Sequence, residues 1–140
     1  MFHWVFVATE YSDYNTGTIR EILKKLVDEK RWKIGLKTPN RSKLRPGDKI
    51  LFYASGEGKK EFVASGELDS EFLSNDNRIY GHVELKNILI FEKTVRIKPI
   101  LDKFSSFKNN RYWGLFFQGG VRKISQKEYN LVIRMNRSHP

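Results

Sequence analysis

The chain has 140 residues and carries 26 Lys and Arg against 16 Asp and Glu, a formal net charge of +10 at pH 7. Its ten Phe, six Tyr and three Trp are too many for a disordered chain, and no break in composition divides it. The absence of cysteine excludes disulfides, thiolate metal sites and cysteine nucleophiles. We therefore expect a single domain over residues 1–140 that buries a core of its own.

The first predicted elements are a strand and a helix. Residues 3–8 are β-branched and aromatic, which predicts a buried strand. After the polar stretch 11–17, Thr18 and Glu21 form a capping box, and the apolar positions that follow repeat with a helical period. The apolar run at the N-terminus is too short to cross a bilayer and lacks the features of a signal peptide. We therefore expect a cytoplasmic protein with no membrane partner.

The middle of the chain predicts a loop and then a hairpin. Residues 31–45 have no helical or strand period and hold six basic residues around Trp32, which favours a loop. A tight Pro-Gly-Asp turn leads into a strand over 49–53, and residues 61–68 form the second strand of a hairpin. Gly66 within that strand predicts a bulge or a bend.

The last part of the chain predicts further strands and a closing helix. The expected elements are a long β segment over 79–91, an edge or crossing strand over 94–97, a short helix over 101–107 and a last strand over 112–117. Ser125 and Glu128 form the capping box of a final helix. Five or six strands with one helix near each end of the chain indicate an α+β barrel.

The order of these segments is similar to a known family. A strand with Trp4, a helix and a loop with Trp32 precede Leu44-Arg-Pro-Gly-Asp48 and an apolar strand that ends in Tyr53. Together with the later segment Arg111-Tyr-Trp-Gly-Leu-Phe-Phe117, this order resembles the EVE domain of the PUA-like superfamily over residues 2–136. The resemblance implies a PUA-like twisted β-barrel of five or six strands with flanking helices.

The resemblance also implies a function. EVE domains are related to YTH domains, whose aromatic cage holds a methylated adenine, and they have been linked to reading modified cytosine or adenine in DNA or RNA. The Trp-Asp-Gly form of the family's pocket loop is replaced here by Trp32-Lys-Ile-Gly35. We therefore expect a non-catalytic module with a nucleic-acid partner, an aromatic pocket for a modified base, and no cofactor.

A pocket for a base needs flat walls, groups that read the base edge, and cations at its rim. The candidates for the pocket are Trp32, Trp4, Tyr53, Trp113, Phe117 and Gln118. For the Trp residues and Tyr53, a place in the core is the alternative. The candidates for phosphate binding are Lys33, Lys37, Arg41, Lys43, Arg45, Arg111, Arg122 and Lys123. They form one track if the fold brings both basic loops to one rim, and scattered solvated charge is the alternative.

Catalysis and metal binding have no motif in this sequence. Its three histidines share no ligand-like spacing, and no Ser-His-Asp order, Walker motif or pair of carboxylates occurs. We therefore expect no enzyme and no metal site. Two other functions stay open: a small-molecule or nucleotide-binding domain that uses the same pocket, and an accessory domain that docks structured RNA.

Overall fold

The computed structural model describes residues 1–105, 114, 116–117 and 120–137. Within them the chain forms six strands and two α-helices. These are β1 (His3–Ala8), α1 (Ile19–Glu29), β2 (Arg31–Gly35), β3 (Lys49–Ala54), β4 (Glu61–Leu68), β5 (Tyr80–Arg96), β6 (Val121–Ile124) and α2 (Gln126–Arg137). Two 3₁₀ segments, Arg41–Lys43 and Lys98–Lys103, lie in the connections.

The strands form one sheet in the order β2–β5–β4–β3–β1–β6. β1 pairs in parallel with β3, and the other neighbouring pairs are antiparallel. The sheet curls into a half-barrel. Trp32 on β2 therefore stacks on Phe6 of β1, with ring centroids 6.5 Å apart, although β5, β4 and β3 lie between these strands in the sheet. The predicted α+β architecture is confirmed.

Both faces of the central strands are buried. Along β1, Trp4 and Phe6 join the core inside the curl, which α1 covers with Leu26. Val5 joins the core on the opposite face, which α2 covers with Val132. Because both faces of β1 and β3 are covered, these strands are continuous apolar runs in the sequence instead of alternating ones.

Local signals in the sequence predicted several elements correctly. Thr18 and Glu21 form the capping box of α1, in which each side chain accepts a hydrogen bond from the other residue's backbone N–H. Ser125 and Glu128 form the same box at α2. β3 and β4 form the predicted antiparallel hairpin, and the register between β4 and β5 shifts at Gly66.

Two predictions in the first two thirds of the chain are wrong. Residues 31–35 are not a loop but β2, which pairs with β5 from Arg31 to Gly35. Trp32 and Ile34 both enter the core, but five residues are too few to show a clear period when basic side chains interrupt them. The two strands predicted over 79–91 and 94–97 are one strand of 17 residues, β5, whose register relative to β4 shifts along its length.

The elements predicted after β5 also differ. The short helix expected over 101–107 is the 3₁₀ segment Lys98–Lys103, which starts earlier because Pro99 occupies its first turn. Of the strand expected over 112–117, residues 114, 116 and 117 are described, and they lie in 3₁₀ turns. The last strand is β6 instead.

Asp48 connects the start of β1 to the turn before β3. Its buried carboxylate accepts hydrogen bonds from the backbone N–H of Phe2 (3.0 Å), the indole Nε1 of Trp4 (2.9 Å) and the backbone N–H of Arg45 (3.2 Å). The bond from Arg45 is the predicted capping of the turn. The other two bonds fix β1 beside β3, its parallel neighbour.

Replacement of Asp48 by Ala leaves three donors without their acceptor. Because hydrogen bonds to charged groups contribute ~1.5–3 kcal/mol, we expect Asp48→Ala to lower the free energy of unfolding by about 2–3 kcal/mol. Urea denaturation followed by tryptophan fluorescence measures this change. The exposed Asp28 on α1 is the matched control, and Asp28→Ala should change stability by less than ~0.5 kcal/mol. Equal stability of the two variants would contradict the role of Asp48.

Candidate functional site

A small pocket opens where β1 ends, beside β2 and the segment that leads into α1. Its volume is about 120 Å³. This is well above the ~10–15 Å³ that one water needs and below the ~300 Å³ at which pockets for drug-sized ligands begin, so it suits a single ring system. The described residues that line it are Val7, Thr9, Ser12, Tyr14, Asn15, Trp32, Lys33, Ile34, Gly35, Thr38, Gly120 and Val121.

The segment over residues 9–17, here the 9–17 loop, is held against β2 by Asn15. The side-chain Nδ2 of Asn15 donates to the carbonyl oxygen of Lys33 (3.0 Å), and its Oδ1 accepts from the Lys33 N–H (3.3 Å). The loop closes on itself through a hydrogen bond from the Tyr11 N–H to the Gly17 carbonyl oxygen (2.9 Å). Since β2 is an edge strand, the Asn15 amide replaces part of the pairing that a further strand would provide.

Glu10 anchors the 9–17 loop to the start of α1. Its Oε2 accepts a hydrogen bond from the Ile19 N–H (2.8 Å), and its Oε1 lies 3.2 Å from Lys59 Nζ. The Ile19 N–H, and after it Lys59, hold the pKa of the Glu10 carboxyl below its usual range. The loop is therefore attached at both of its sides, to α1 and to β2.

Gly35 allows Tyr14 to lie directly on β2. A Cβ at position 35 would lie 2.7 Å from the Tyr14 hydroxyl oxygen and 3.1 Å from Thr38 Oγ1. Tyr14 also packs edge-on against Tyr80, with ring centroids 5.9 Å apart. The hydroxyls of Tyr14 and Thr38 therefore meet at this wall because residue 35 has no side chain.

Trp32 forms the inner wall of the pocket. It is 4% exposed and packs against Phe6 and Phe52, with ring centroids 6.5 and 5.1 Å away. Most of its surface thus belongs to the core, and a small part of the residue is left to touch a ligand. The structure places Trp32 at the pocket, on a strand instead of the expected loop.

The start of β6 completes the pocket from a distant part of the chain. The Val7 N–H donates to the Gly120 carbonyl oxygen (3.0 Å), and Asn40 Nδ2 donates to the Val121 carbonyl oxygen (3.0 Å). A second concavity, of about 450 Å³, lies next to the pocket and shares Val7, Thr9 and Gly120 with it. The segment after β2 and the start of β6 therefore meet at one rim.

The polar lining of the pocket is mostly hydroxyl. Thr9, Ser12, Tyr14 and Thr38 contribute groups that can both donate and accept hydrogen bonds. Lys33 is the one charged residue among the described lining residues. The pocket can therefore bind the polar edge of a neutral ring, and no described lining residue brings a carboxylate that would attract a cation.

Three of the predicted phosphate-binding residues lie near this rim. Lys33 lines the pocket with its Nζ 5.1 Å from the centroid of the Tyr80 ring, and Lys37 is exposed just after β2. The Arg41 guanidinium donates to the Thr38 carbonyl oxygen (3.0 Å). Lys43 and Arg45 follow as exposed residues on the way to β3.

Arg122 and Lys123, which were also predicted to bind phosphate, do not lie on one face of the sheet. Arg122 and Lys123 are consecutive residues of β6, so their side chains point to opposite faces of the sheet. Arg122 lies over the Phe116 ring (4.7 Å), and Lys123 lies over the Phe2 ring (3.9 Å). The expectation that both belong to one phosphate track is therefore corrected. Arg111 lies outside the described residues.

Two predicted pocket residues are core residues instead. Trp4 and Tyr53 are each 1% exposed. Trp4 is bonded to Asp48, and Tyr53 stacks on Phe117 at 3.7 Å, with burial raising the pKa of its phenol. Phe117 lines the second concavity. Trp113 and Gln118 lie outside the described residues.

Sequence reasoning missed Tyr14, Asn15 and Thr38. All three lie in polar, turn-prone stretches, where such residues are expected to form turns. Nothing in the local sequence shows that the chain returns after α1 and places β2 beside the 9–17 loop. Gly35 is the residue that could have indicated this contact, because a glycine in a strand often marks the close approach of another group.

Other kinds of site are not found in the described part of the chain. No group of three or more His, Asp or Glu residues in it could hold a metal ion. Its helices are each too short or too polar to cross a membrane.

Comparison with known proteins assigns this architecture to a family. The family model of the EVE domain matches residues 4–135. A UPF0310 protein of Pyrococcus abyssi is 30% identical, with 77% of this chain and 88% of the relative covered. A UPF0310 protein of Bacillus licheniformis is 27% identical, with 66% and 68% covered.

Solved structures show the same fold at low sequence identity. The human THYN1 protein in complex with 5-methylcytosine-containing DNA matches with a TM-score of 0.67 and 12% identity, over 100% of both chains. The N-terminal domain of Staphylothermus marinus McrB matches with a TM-score of 0.63 and 14% identity, over 97% of this chain and 94% of that domain. The PUA-like fold implied by the sequence resemblance is confirmed. This chain belongs to the EVE domain family.

Proposed function

We propose that this chain is a non-catalytic nucleic-acid-binding module that holds one modified base, of the methylated cytosine or methylated adenine class, in the pocket between the 9–17 loop and β2. The observation that carries the proposal is the pocket itself, a cavity of about 120 Å³ bounded by Trp32 and Tyr14. Aromatic walls replace the stacking that a base loses when it leaves its neighbours, and such stacking contributes ~1–3 kcal/mol per base.

Charge and fold support a nucleic acid as the partner. The net charge of +10 attracts a polyanion and speeds its arrival. The human THYN1 protein, which was solved with 5-methylcytosine-containing DNA, shares this fold along the whole chain. In this proposal Lys33, Lys37 and Arg41 hold phosphates at the rim, while the hydroxyls of Tyr14 and Thr38 read the edge of the base.

Selection for a methyl group rests on the apolar part of the lining. Val7, Ile34 and Val121 line the pocket together with the aromatic walls. Burial of one methyl group against such surfaces contributes on the order of 1 kcal/mol. A methylated base is therefore preferred by shape and burial, with no need for a charge on the base.

The first prediction from the proposed function concerns the pocket wall at Gly35. In Gly35→Ala the new methyl would lie 2.7 Å from the Tyr14 hydroxyl oxygen, so Tyr14 must move and the pocket changes shape. We expect the affinity for an oligonucleotide with the preferred methylated base to fall about tenfold, equivalent to ~1.4 kcal/mol of the stacking contribution. Fluorescence anisotropy with a labelled oligonucleotide measures the change.

Gly66→Ala is the matched control for this variant. Neither glycine has a positive φ, and a Cβ at position 66 meets the Phe52 ring at an ordinary contact distance of 3.5 Å. Gly66→Ala should bind as the wild type does. If Gly35→Ala retains both full affinity and full preference for the methylated base, the pocket beside Tyr14 is not the base site.

The second prediction concerns the cations that bind phosphate. For a single-stranded ligand, removal of one cation that neutralises a phosphate reduces the slope of log K against log salt by ~0.7. We expect Lys37→Gln to reduce the slope by about this amount and Lys127→Gln, an exposed residue of α2, to leave it unchanged. Titrations at several salt concentrations measure the slope. A flat salt dependence of the wild type, with retained binding of mononucleotides, would instead indicate a small-molecule binding domain.

The third prediction concerns the charge of the modified base. With Lys33 in the lining and no described carboxylate there, a cationic base is disfavoured. We expect oligonucleotides with N6-methyladenine or 5-methylcytosine to bind more tightly than those with the cationic N1-methyladenine. Competition titrations at pH 7 compare them, and tighter binding of N1-methyladenine would refute a pocket selective for neutral bases.

A further inference from the structure

Tyr11 is an exposed aromatic residue next in sequence to Ser12, which lines the proposed base pocket. It is 74% exposed, and among the large hydrophobic residues of the described chain only Met1 is more exposed, at 76%. Within that part of the chain, the Tyr11 side chain makes no hydrogen bond, ion pair or ring contact. Tyr14 and Tyr80, by contrast, pack against each other. Tyr11 therefore presents a ring to solvent that the fold itself does not use.

The backbone holds Tyr11 in a costly conformation. Its φ is 57°, in the left-handed region that an aromatic residue rarely adopts. The hydrogen bond from its N–H to the Gly17 carbonyl oxygen and the two bonds between the Asn15 side chain and the Lys33 backbone keep the loop in this shape. Strain of this kind persists where the surroundings impose it, and it concentrates at ligand-binding sites.

Tyr11 is adjacent in the chain to residues that line the pocket. Thr9 and Ser12, on either side of it in sequence, both line the pocket. The exposed Tyr11 ring is therefore carried by the same short loop that forms the outer wall of the pocket.

We propose that Tyr11 stacks on the base next to the one in the pocket, so that the site recognises a single strand that continues beyond the pocket instead of a lone nucleoside. The inference rests on the proposed function of the same pocket. An exposed ring is suited to this contact because every base offers a flat face, and the contact therefore adds affinity without adding sequence preference.

The test uses ligands that separate the pocket from its rim. Single-stranded oligonucleotides carry 5-methylcytosine or N6-methyladenine, whichever the wild type prefers, with 2-aminopurine on its 5′ or its 3′ side. The free methylated nucleoside is the second ligand. Stacking quenches 2-aminopurine fluorescence, so the wild type should quench the probe on one side of the modified base.

Tyr11→Asn is the decisive variant, because asparagine accepts a left-handed backbone and the loop keeps its shape when the ring is removed. We expect Tyr11→Asn to bind the oligonucleotide about tenfold more weakly without quenching, yet to bind the nucleoside as the wild type does. Tyr11→Phe should retain affinity and quenching. Val27→Ala, which removes an exposed apolar side chain of α1, is the control and should behave as the wild type.

Three results would overturn the inference, and they differ from failure of the proposed function. If Tyr11→Asn binds the oligonucleotide as tightly as the wild type, or if the wild type quenches neither probe, Tyr11 does not stack on the neighbouring base. An equal loss of nucleoside and oligonucleotide affinity would make Tyr11 part of the pocket instead. If the wild type prefers no methylated ligand of either kind, the proposed function fails and the inference fails with it.

Discussion

The contact between Trp32 and the rings of Phe6 and Phe52 sets the shape of the site. Phe6 and Phe52 lie on the paired strands β1 and β3, whereas Trp32 lies on β2, with β5 and β4 between β2 and β3 in the sheet, and meets them because the sheet curls. The contact holds β2 across the open side of the half-barrel. One surface of Trp32 packs in the core, and another lines the pocket. The inner wall of the pocket is thus part of the packed core, which fixes its position before anything binds.

The outer half of the pocket depends on contacts of a different kind. The 9–17 loop buries little apolar surface, and hydrogen bonds hold it in place: the Asn15 side chain pairs with the Lys33 backbone, Glu10 accepts from the Ile19 N–H, and the Tyr11 N–H donates to Gly17. Gly35 supplies the space into which Tyr14 fits. The inner wall is therefore stabilised by packing and the outer wall by polar contacts, so substitutions in the outer wall change the shape of the pocket without disturbing the core.

The sequence allowed the fold to be predicted better than the site. The capping boxes at Thr18 and Ser125 and the hairpin of β3 and β4 are local, and they were predicted correctly. The pocket combines residues from positions 7 to 15, 32 to 38 and 120 to 121, which only the curl of the sheet brings together. A periodic pattern shows which residues are apolar but not which strands face each other, so the sequence offers both Trp32, the first choice, and Trp4 as pocket residues. In the structure Trp4 is bonded to Asp48, and Trp32 lines the pocket.

The place of β1 between β3 and β6 has a consequence for how the chain is made. Within this domain β1 leaves the ribosome before both of its partner strands, as the pairs Phe6 with Phe52 and Phe6 with Val121 show. Until β6 is synthesised, one edge of an apolar strand stays unpaired, which is the condition under which nascent chains aggregate. The sheet of this domain is therefore completed only after β6 is synthesised, and recognition of the His3–Ala8 segment by chaperones before that point would protect the nascent chain.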